Sequence, residues 1–215
     1  MILAKRILVF GASGTLGKAC SDELRSNGYE SIPIGRDLRG IESISQVDGA
    51  IWAQGANFTG DLTQTTSQTW NEIWDANFQF IVRSLEILLE KKSFNSGSRL
   101  VVISSVWQEI SRQQKVAYIA SKAAVGGLVR GLAADLGKDG ISINAVLPGV
   151  VDSPMTHEHL SGAQIEGIIE GTPTGELVTP TQIARTVAFL IGSDSTGING
   201  QSIIVDGGWS ITRNV

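Results

Sequence analysis

Six short apolar runs, alternating with longer stretches of helical period, constrain the fold of this 215-residue chain more than any other feature. They are Arg6–Phe10, Ser31–Ile34, Gly49–Trp52, Arg99–Ile103, Ile141–Leu147 and Ser202–Val205. Their residues are apolar in succession rather than in alternation, so both faces of each strand need cover. Strands buried on both sides and separated by helix-length segments do not join as hairpins; they pair in parallel, with helices crossing over the faces. The expected fold class is α/β, a doubly wound parallel sheet of Rossmann type in a three-layer sandwich.

Two helices carry start signals. Thr69 with Glu72 reads as a capping box, followed at helical spacing by Trp70, Ile73, Trp74, Asn77, Ile81, Leu85 and Leu88, which predicts a helix to about Lys92. Thr179, Pro180 and Gln182 repeat the device, with proline at the first helical position, and predict a helix to about Ile191. No repeat or composition shift divides the chain, and 42% hydrophobic residues supply one large core. The reading is one domain over residues 1–215.

Charge and cysteine usage exclude several classes. Seventeen Lys plus Arg against 21 Asp plus Glu, a net charge of −4 with no basic block, argues against a nucleic-acid partner. The N-terminal MILAKRILVF is broken by Lys5 and Arg6, too short for a membrane span and wrongly ordered for a signal peptide, so it reads as a first strand. The single cysteine, Cys20, forms no internal disulfide and reads as a small buried side chain of an intracellular, cytoplasmic protein. His157 and His159 flank Glu158 without a third ligand nearby, so no metal is expected.

Between the first strand and the first helix lies Gly11-Ala12-Ser13-Gly14-Thr15-Leu16-Gly17. Glycines three apart let the chain turn sharply, bring backbone N–H groups against a pyrophosphate and pack the helix close to the strand. The second strand ends in Ile34-Gly35-Arg36-Asp37. Gly35 leaves room and Arg36 offers a planar cation matched to a 2′-phosphate, which favours NADP; Asp37, an acidic residue suited to a ribose hydroxyl, keeps NAD open.

Tyr118 and Lys122 stand four apart, on one face of a helix and one turn from each other. A phenol titrates near pH 10, about three units above neutral, and a neighbouring ammonium favours its phenolate, bringing it toward the range of proton exchange with a substrate oxygen.

From the first strand to the C-terminus the sequence resembles the short-chain dehydrogenase/reductase family, nearest in look to its 3-oxoacyl thioester reductases. Ser105, in Val102-Ile103-Ser104-Ser105, stands thirteen residues before Tyr118, as the family serine does, and Asn77 falls at the family's helix position. The resemblance implies a tetrad of Asn77, Ser105, Tyr118 and Lys122. In it Tyr118 acts as acid in ketone reduction and base in alcohol oxidation, and Ser105 bonds the reacting oxygen. Lys122 holds the nicotinamide ribose and lowers the Tyr118 pKa, and Asn77 anchors a water linking Lys122 to solvent.

The segment Asn144 to Ser153 resembles the family's motif after a late strand. It places Pro148, Gly149, Val151 and Ser153 at the cofactor, beside the loop residues Gly11, Ser13, Gly14, Thr15, Leu16 and Gly17, with Arg36 and Gly55. The ending Gly200 to Gly208 matches the family's last strand and turn. The family also implies a substrate lid at about residues 153–179 and a homodimer or homotetramer joined through helices at about 69–92 and 116–138.

The sequence departs from the family in three places, the first being the glycine loop, in which Gly14 and Thr15 stand where the commonest TGxxxGxG form has a variable residue and glycine. Only Asp37 to Asp48 separate the second and third strands, so the family's usual third, edge strand is expected to be missing. The turn Trp52-Ala53-Gln54-Gly55 keeps only the glycine of the usual NNAG and sets a bulky Trp52 where the cofactor would pass. Trp107 and Trp209 fit core packing and a substrate-pocket lining equally.

The function expected is hydride transfer between NADP(H) and a ketone or secondary alcohol, with 3-oxoacyl compounds among the small-molecule substrates. The alternative is a non-catalytic nucleotide-sensing or scaffold protein, against which the complete tetrad argues. An epimerase or dehydratase is disfavoured by the short C-terminal region.

Overall fold

A computed structural model describes residues 4–212. The residues before 4, part of the N-terminal run read as neither span nor signal, lie outside the described residues. Six strands, β1 (Arg6–Phe10), β2 (Glu30–Ile34), β3 (Val47–Trp52), β4 (Phe94–Ile103), β5 (Ser142–Pro148) and β6 (Ser202–Val205), form one sheet in the order β2-β1-β3-β4-β5-β6. Every pairing is parallel.

The helices are α1 (Thr15–Ser26), α2 (Ser67–Trp74), α3 (Phe80–Glu90), α4 (Val116–Leu136), α5 (Pro154–His159), α6 (Gly162–Glu170) and α7 (Pro180–Ile191). The pleat of β1 splits the core in two. Ile7 and Val9 join Cys20, Leu24, Ile183 and Val187 beneath α1 and α7, while Leu8 and Phe10 join Phe80, Leu85, Val125 and Val129 beneath α3 and α4. Continuous apolar strands therefore carry a covered sheet, as their sequence requires.

β2 is the edge, and no strand lies beyond it among the described residues. Pro33 pairs with Val9 on its inner side, and its lack of an N–H suits a strand with one open flank. From β2 the chain passes through a short 3-10 turn, Ile41–Ser43, straight into β3. Because β1 has β2 on one side and β3 on the other, the connections after β1 and β3 diverge and open a crevice at the carboxyl ends of the strands.

The helix after β3 differs from expectation. Its N-cap is Thr66, whose hydroxyl accepts from Thr69 N, so Thr69 is the third helical residue rather than the cap. Thr66 wins because its hydroxyl meets a free N–H one turn on, whereas Thr69 already lies inside the helix. Nor does the helix run unbroken to Lys92: a π-helical turn, Asp75–Gln79, separates α2 from α3, and α3 ends at Glu90. The Thr179–Gln182 capping box forms as read.

Trp52 does not stand beside the cleft. It is fully buried, stacked on Phe10 at 5.0 Å between centroids, with its indole N–H donating to Ser84 Oγ at 2.8 Å. As the last residue of a strand covered on both faces, its side chain turns into the core. The segment 153–179, where the resemblance implies a lid, holds α5 and α6, the latter opened by a full capping box between Ser161 and Gln164.

Within Val116–Asp139, which is α4 with the turn behind it, an 18-residue stretch has a mean hydropathy of 1.2, so the helix matches a membrane span by length and composition. Here one side of that helix covers the sheet through Ala117, Val125 and Val129.

Candidate active site

The crevice at the strand ends is a cleft of about 1640 Å³. Its first wall is the glycine loop. Gly11 has φ +75°, and a Cβ there would lie 2.7 Å from Gln54 N; a Cβ on Gly17 would lie 2.1 Å from Gly11 O. Only glycine allows the turn at one position and the close approach of α1 at the other. Ser13, Gly14, Thr15 and Leu16 also line the cleft, whereas Gly17 lies behind it as the packing contact.

Gly14 caps α1 without a side-chain hydrogen bond, so the first backbone N–H groups of the helix have no partner within it. Those donors, together with the positive end of the helix dipole, suit a pyrophosphate. A dinucleotide therefore fits this cradle.

Arg36, exposed at the end of β2, lines the cleft beyond the loop. Its neighbour Asp37 is engaged with Arg39 at 2.8 Å. On the far side the turn after β5 brings Pro148, Gly149, Val151 and Ser153 to the wall. A Cβ on Gly149 would come 2.6 Å from Asp206 Cβ, so this turn is packed on the end of β6. Asp206 accepts from Gly208 N at 2.8 Å and Ser210 N at 2.7 Å, which fixes the final turn and Trp209 with it. Ser153 caps α5.

Ser105 and Tyr118 meet at the centre. Ser105, just past β4, accepts from Trp107 N at 3.4 Å, and its hydroxyl is close enough to Tyr118 to pull the phenol pKa down. Burial is the stronger influence and pushes that pKa above its usual value near 10. Lys122 Nζ lies 5.6 Å from the Tyr118 ring centre and donates to Ile103 O at 3.5 Å. Burial lowers its pKa to about 8.

Asn77 is buried on the π turn. Its Oδ1 accepts from Ala56 N at 2.8 Å, and its Nδ2 donates to Ala56 O and Ser121 Oγ, each at 3.0 Å. It thus ties the loop after β3 to α4. A Cβ on Gly55 would lie 3.0 Å from Asn77 Oδ1 and 3.6 Å from Lys122 Nζ, so Gly55 is where Asn77 and Lys122 approach the cleft. Neither forms part of the open wall.

Sequence reasoning missed Lys115. Its ammonium is buried and donates to Asn57 Oδ1 at 2.7 Å, Phe58 O at 3.0 Å and Thr59 Oγ1 at 2.7 Å, 5.7 Å from the Tyr118 ring centre. Burial, then the charge of Arg112, lowers its pKa to about 8. Its place three residues before Tyr118 was the only signal available. Trp107 and Trp209 both line the cleft, edge to face at 5.6 Å, with Arg112 5.9 Å over the Trp107 ring.

The two histidines that flank Glu158 are both exposed. His157 Nε2 is 2.7 Å from Asp152 Oδ1, and His159 lines the cleft mouth. Among the described residues no three His, Cys, Asp or Glu side chains come together. Cys20 is buried, and burial pushes its thiol up to about 12.

The glycine cradle at the switch point, facing a serine, a phenol and a buried ammonium across one crevice, defines an α/β oxidoreductase of the dinucleotide-binding class. Comparison with known proteins agrees. A family model described as enoyl-(acyl carrier protein) reductase matches residues 39–210. The uncharacterized oxidoreductase YmfI of Bacillus subtilis is 28% identical, over 95% of this chain and 98% of that protein. The 3-oxoacyl-[acyl-carrier-protein] reductase FabG of Escherichia coli is 27% identical, over 95% of this chain and 96% of FabG. That alignment spans 236 positions, more than this chain's 215 residues, so FabG has residues this chain lacks.

An oxidoreductase of Burkholderia thailandensis, described as of the short-chain dehydrogenase/reductase family, superposes with a TM-score of 0.91 at 23% identity, over 99% of this chain and 95% of that one. The chain belongs to the short-chain dehydrogenase/reductase family and is an oxidoreductase.

Proposed function

We propose that this protein transfers a hydride between NADP(H) and a ketone or secondary alcohol, with 3-oxoacyl compounds as a substrate class. The observation that carries the reading is that Ser105 and Tyr118 line the same cleft as Arg36 and the glycine loop, with the buried Lys122 ammonium 5.6 Å behind the Tyr118 ring centre.

Arg36 and the loop would hold the phosphates, and the Gly55 and Pro148–Ser153 turns the nicotinamide end. The bound cofactor supplies or takes up the hydride. The other steps belong to the protein. Ser105 directs its hydroxyl hydrogen to the substrate oxygen, since its own oxygen already accepts from Trp107 N. Tyr118, kept protonated at neutral pH by burial, gives its proton to that oxygen during reduction. Lys122 and Lys115, on the same ring, favour the phenolate that results. Asn77 is a positioning residue, holding the loop at Ala56 and the helix at Ser121.

Segment 153–179 is read as a lid over a single domain; Met155 and Ile168 of its helices, and Leu160 between them, line the cleft and would exclude water. Trp107 and Trp209 favour a substrate with an apolar part. The FabG relatives support the 3-oxoacyl assignment by name. The outer face of α4, with Ala123, Gly127 and Gly131 exposed, supports a homodimer or homotetramer through α2–α3 and α4. A lone buried cysteine suits a cytoplasmic setting.

Calorimetric titration with NADPH and NADH, then a screen of ketones including 3-oxoacyl thioesters, tests the proposal. Binding of neither dinucleotide, or no oxidation of NADPH by any ketone, overturns it.

A further inference from the structure

Two residues beyond β3, Gln54 carries a side-chain amide whose nitrogen and oxygen are both shut from solvent and hydrogen-bonded to nothing among the described residues. A primary amide offers two donors and two acceptor lone pairs, and an apolar side chain of the same shape would fill the space without the penalty of leaving them unpaired. Gln54 is also placed with little freedom. Its backbone N and Cα stand where a Cβ on Gly11 would come within 2.7 and 2.9 Å, so it abuts the first glycine of the phosphate cradle. Its residue lines the cleft between Gly11 and Gly55.

The edge of the sheet adds to the case. With no described strand beyond β2, the adenosine end of the cleft is walled on that side only by Pro33, Ile34, Gly35 and Arg36. Apart from Arg36 that wall offers no polar side chain for the ribose, and the Gln54 amide is an uncommitted donor and acceptor beside the cradle.

We infer that Gln54 is a binding residue for the adenosine diphosphate half of the dinucleotide, donating its amide N–H to a pyrophosphate oxygen and accepting from a ribose hydroxyl. The inference rests on the dinucleotide reading of the cleft. Rotation about the side-chain torsions of Gln54 carries the amide from the wall into the cleft, exchanging two unpaired groups for two hydrogen bonds. The unliganded protein bears the cost, and binding relieves it.

Two measurements of opposite sign test this. Gln54→Leu should weaken binding of NADPH and of ADP-ribose, which has no nicotinamide, about tenfold in calorimetric titration, the loss expected for one hydrogen bond to a charged group. The same variant, without ligand, should unfold at the same or a higher temperature than the parent. Gln54→Glu, which sets a carboxylate beside the pyrophosphate, should weaken both ligands further. Parent-like binding of ADP-ribose by Gln54→Leu, or a lower unfolding temperature, overturns the inference. A parent that binds neither ligand overturns the reading of the cleft itself, so the two failures are distinct.

Discussion

Lys122 Nζ lies 5.6 Å from the centre of the Tyr118 ring, and the one hydrogen bond it makes among the described residues is a 3.5 Å contact to Ile103 O. A buried ammonium paired so weakly costs the fold, which is why its pKa falls to about 8 from 10.5. The folded pKa is below the unfolded one, so the cost is fully present below pH 8. Between pH 8 and 10.5 the folded chain releases a proton that the unfolded chain keeps, and this term then raises stability with pH. Lys122→Met should be more stable than the parent at pH 7 by about 1–3 kcal/mol while losing activity. Thermal unfolding from pH 6 to about 10 should show the advantage shrinking as pH rises. A variant less stable at neutral pH would contradict this account.

Lys115 has the same lowered pKa of about 8 and should behave in the opposite way. Its ammonium satisfies three oxygens of the Asn57–Thr59 segment, and removing it strands all three acceptors. Lys115→Met should therefore lose about 2–4 kcal/mol of stability, the cost of unpaired groups around a deleted buried charge. Lys115→Arg should recover part of it. Denaturant unfolding of both variants beside Lys122→Met makes the comparison; the same sign for the two methionine variants would show that partner count does not decide the matter.

Tyr118→Phe removes only the hydroxyl. NADPH oxidation by a ketone should fall by about 10²–10⁴, the usual contribution of a positioned acid, with cofactor binding nearly unchanged. Burial raises the phenol pKa, so the proton is in place for reduction at neutral pH, while alcohol oxidation needs the phenolate and should climb as the medium becomes alkaline. Rate profiles in both directions check the pair of slopes. Unchanged turnover in the phenylalanine variant would remove Tyr118 from the chemistry.

Much of this architecture is legible without coordinates because one physical demand, covering both faces of every strand, is written into runs such as Ile7–Phe10 and Val101–Ile103. Gly11 and Gly17 are equally readable, since a positive φ and a close approach admit little else. Elements that rest on alternatives of similar energy were less readable. Thr66 and Thr69 offer the same cap three residues apart, and the π turn that carries Asn77 leaves the apolar spacing of α2 and α3 nearly intact. The Ser161–Gln164 capping box that opens α6 is local in sequence, but Gly162, Gly167 and Gly171 around it weaken the helical signal. Lys115 was hidden because its three acceptors come from a segment more than fifty residues away.

Trp107 and Trp209 come from the turns after β4 and β6 and meet edge to face at 5.6 Å on the cleft wall. Truncating either opens the same space, so the effects should overlap. Trp209→Ala and Trp107→Ala should each raise KM for a ketone bearing an apolar chain about tenfold, with the double variant well short of the product. For acetone-sized ketones the change should be small. Equal effects on large and small ketones would place the pair outside the substrate path.

Arg36 makes no hydrogen bond or ion pair among the described residues, although it lines the cleft and its neighbour Asp37 is a carboxylate. Asp37 is occupied instead by Arg39 at 2.8 Å, which leaves the Arg36 fork free for a ligand. A guanidinium pairs with phosphate through two parallel N–H groups, and a 2′-phosphate is the one group that distinguishes NADPH from NADH. Arg36→Ala should thus weaken NADPH about 10- to 100-fold and NADH less than about twofold. Because the side chain is exposed, the NADPH preference of the parent should itself fall as salt is raised from about 0.05 to 0.5 M. Calorimetric titration of both cofactors at two salt concentrations reads each effect, and equal weakening of the two by the substitution would take Arg36 out of the phosphate site.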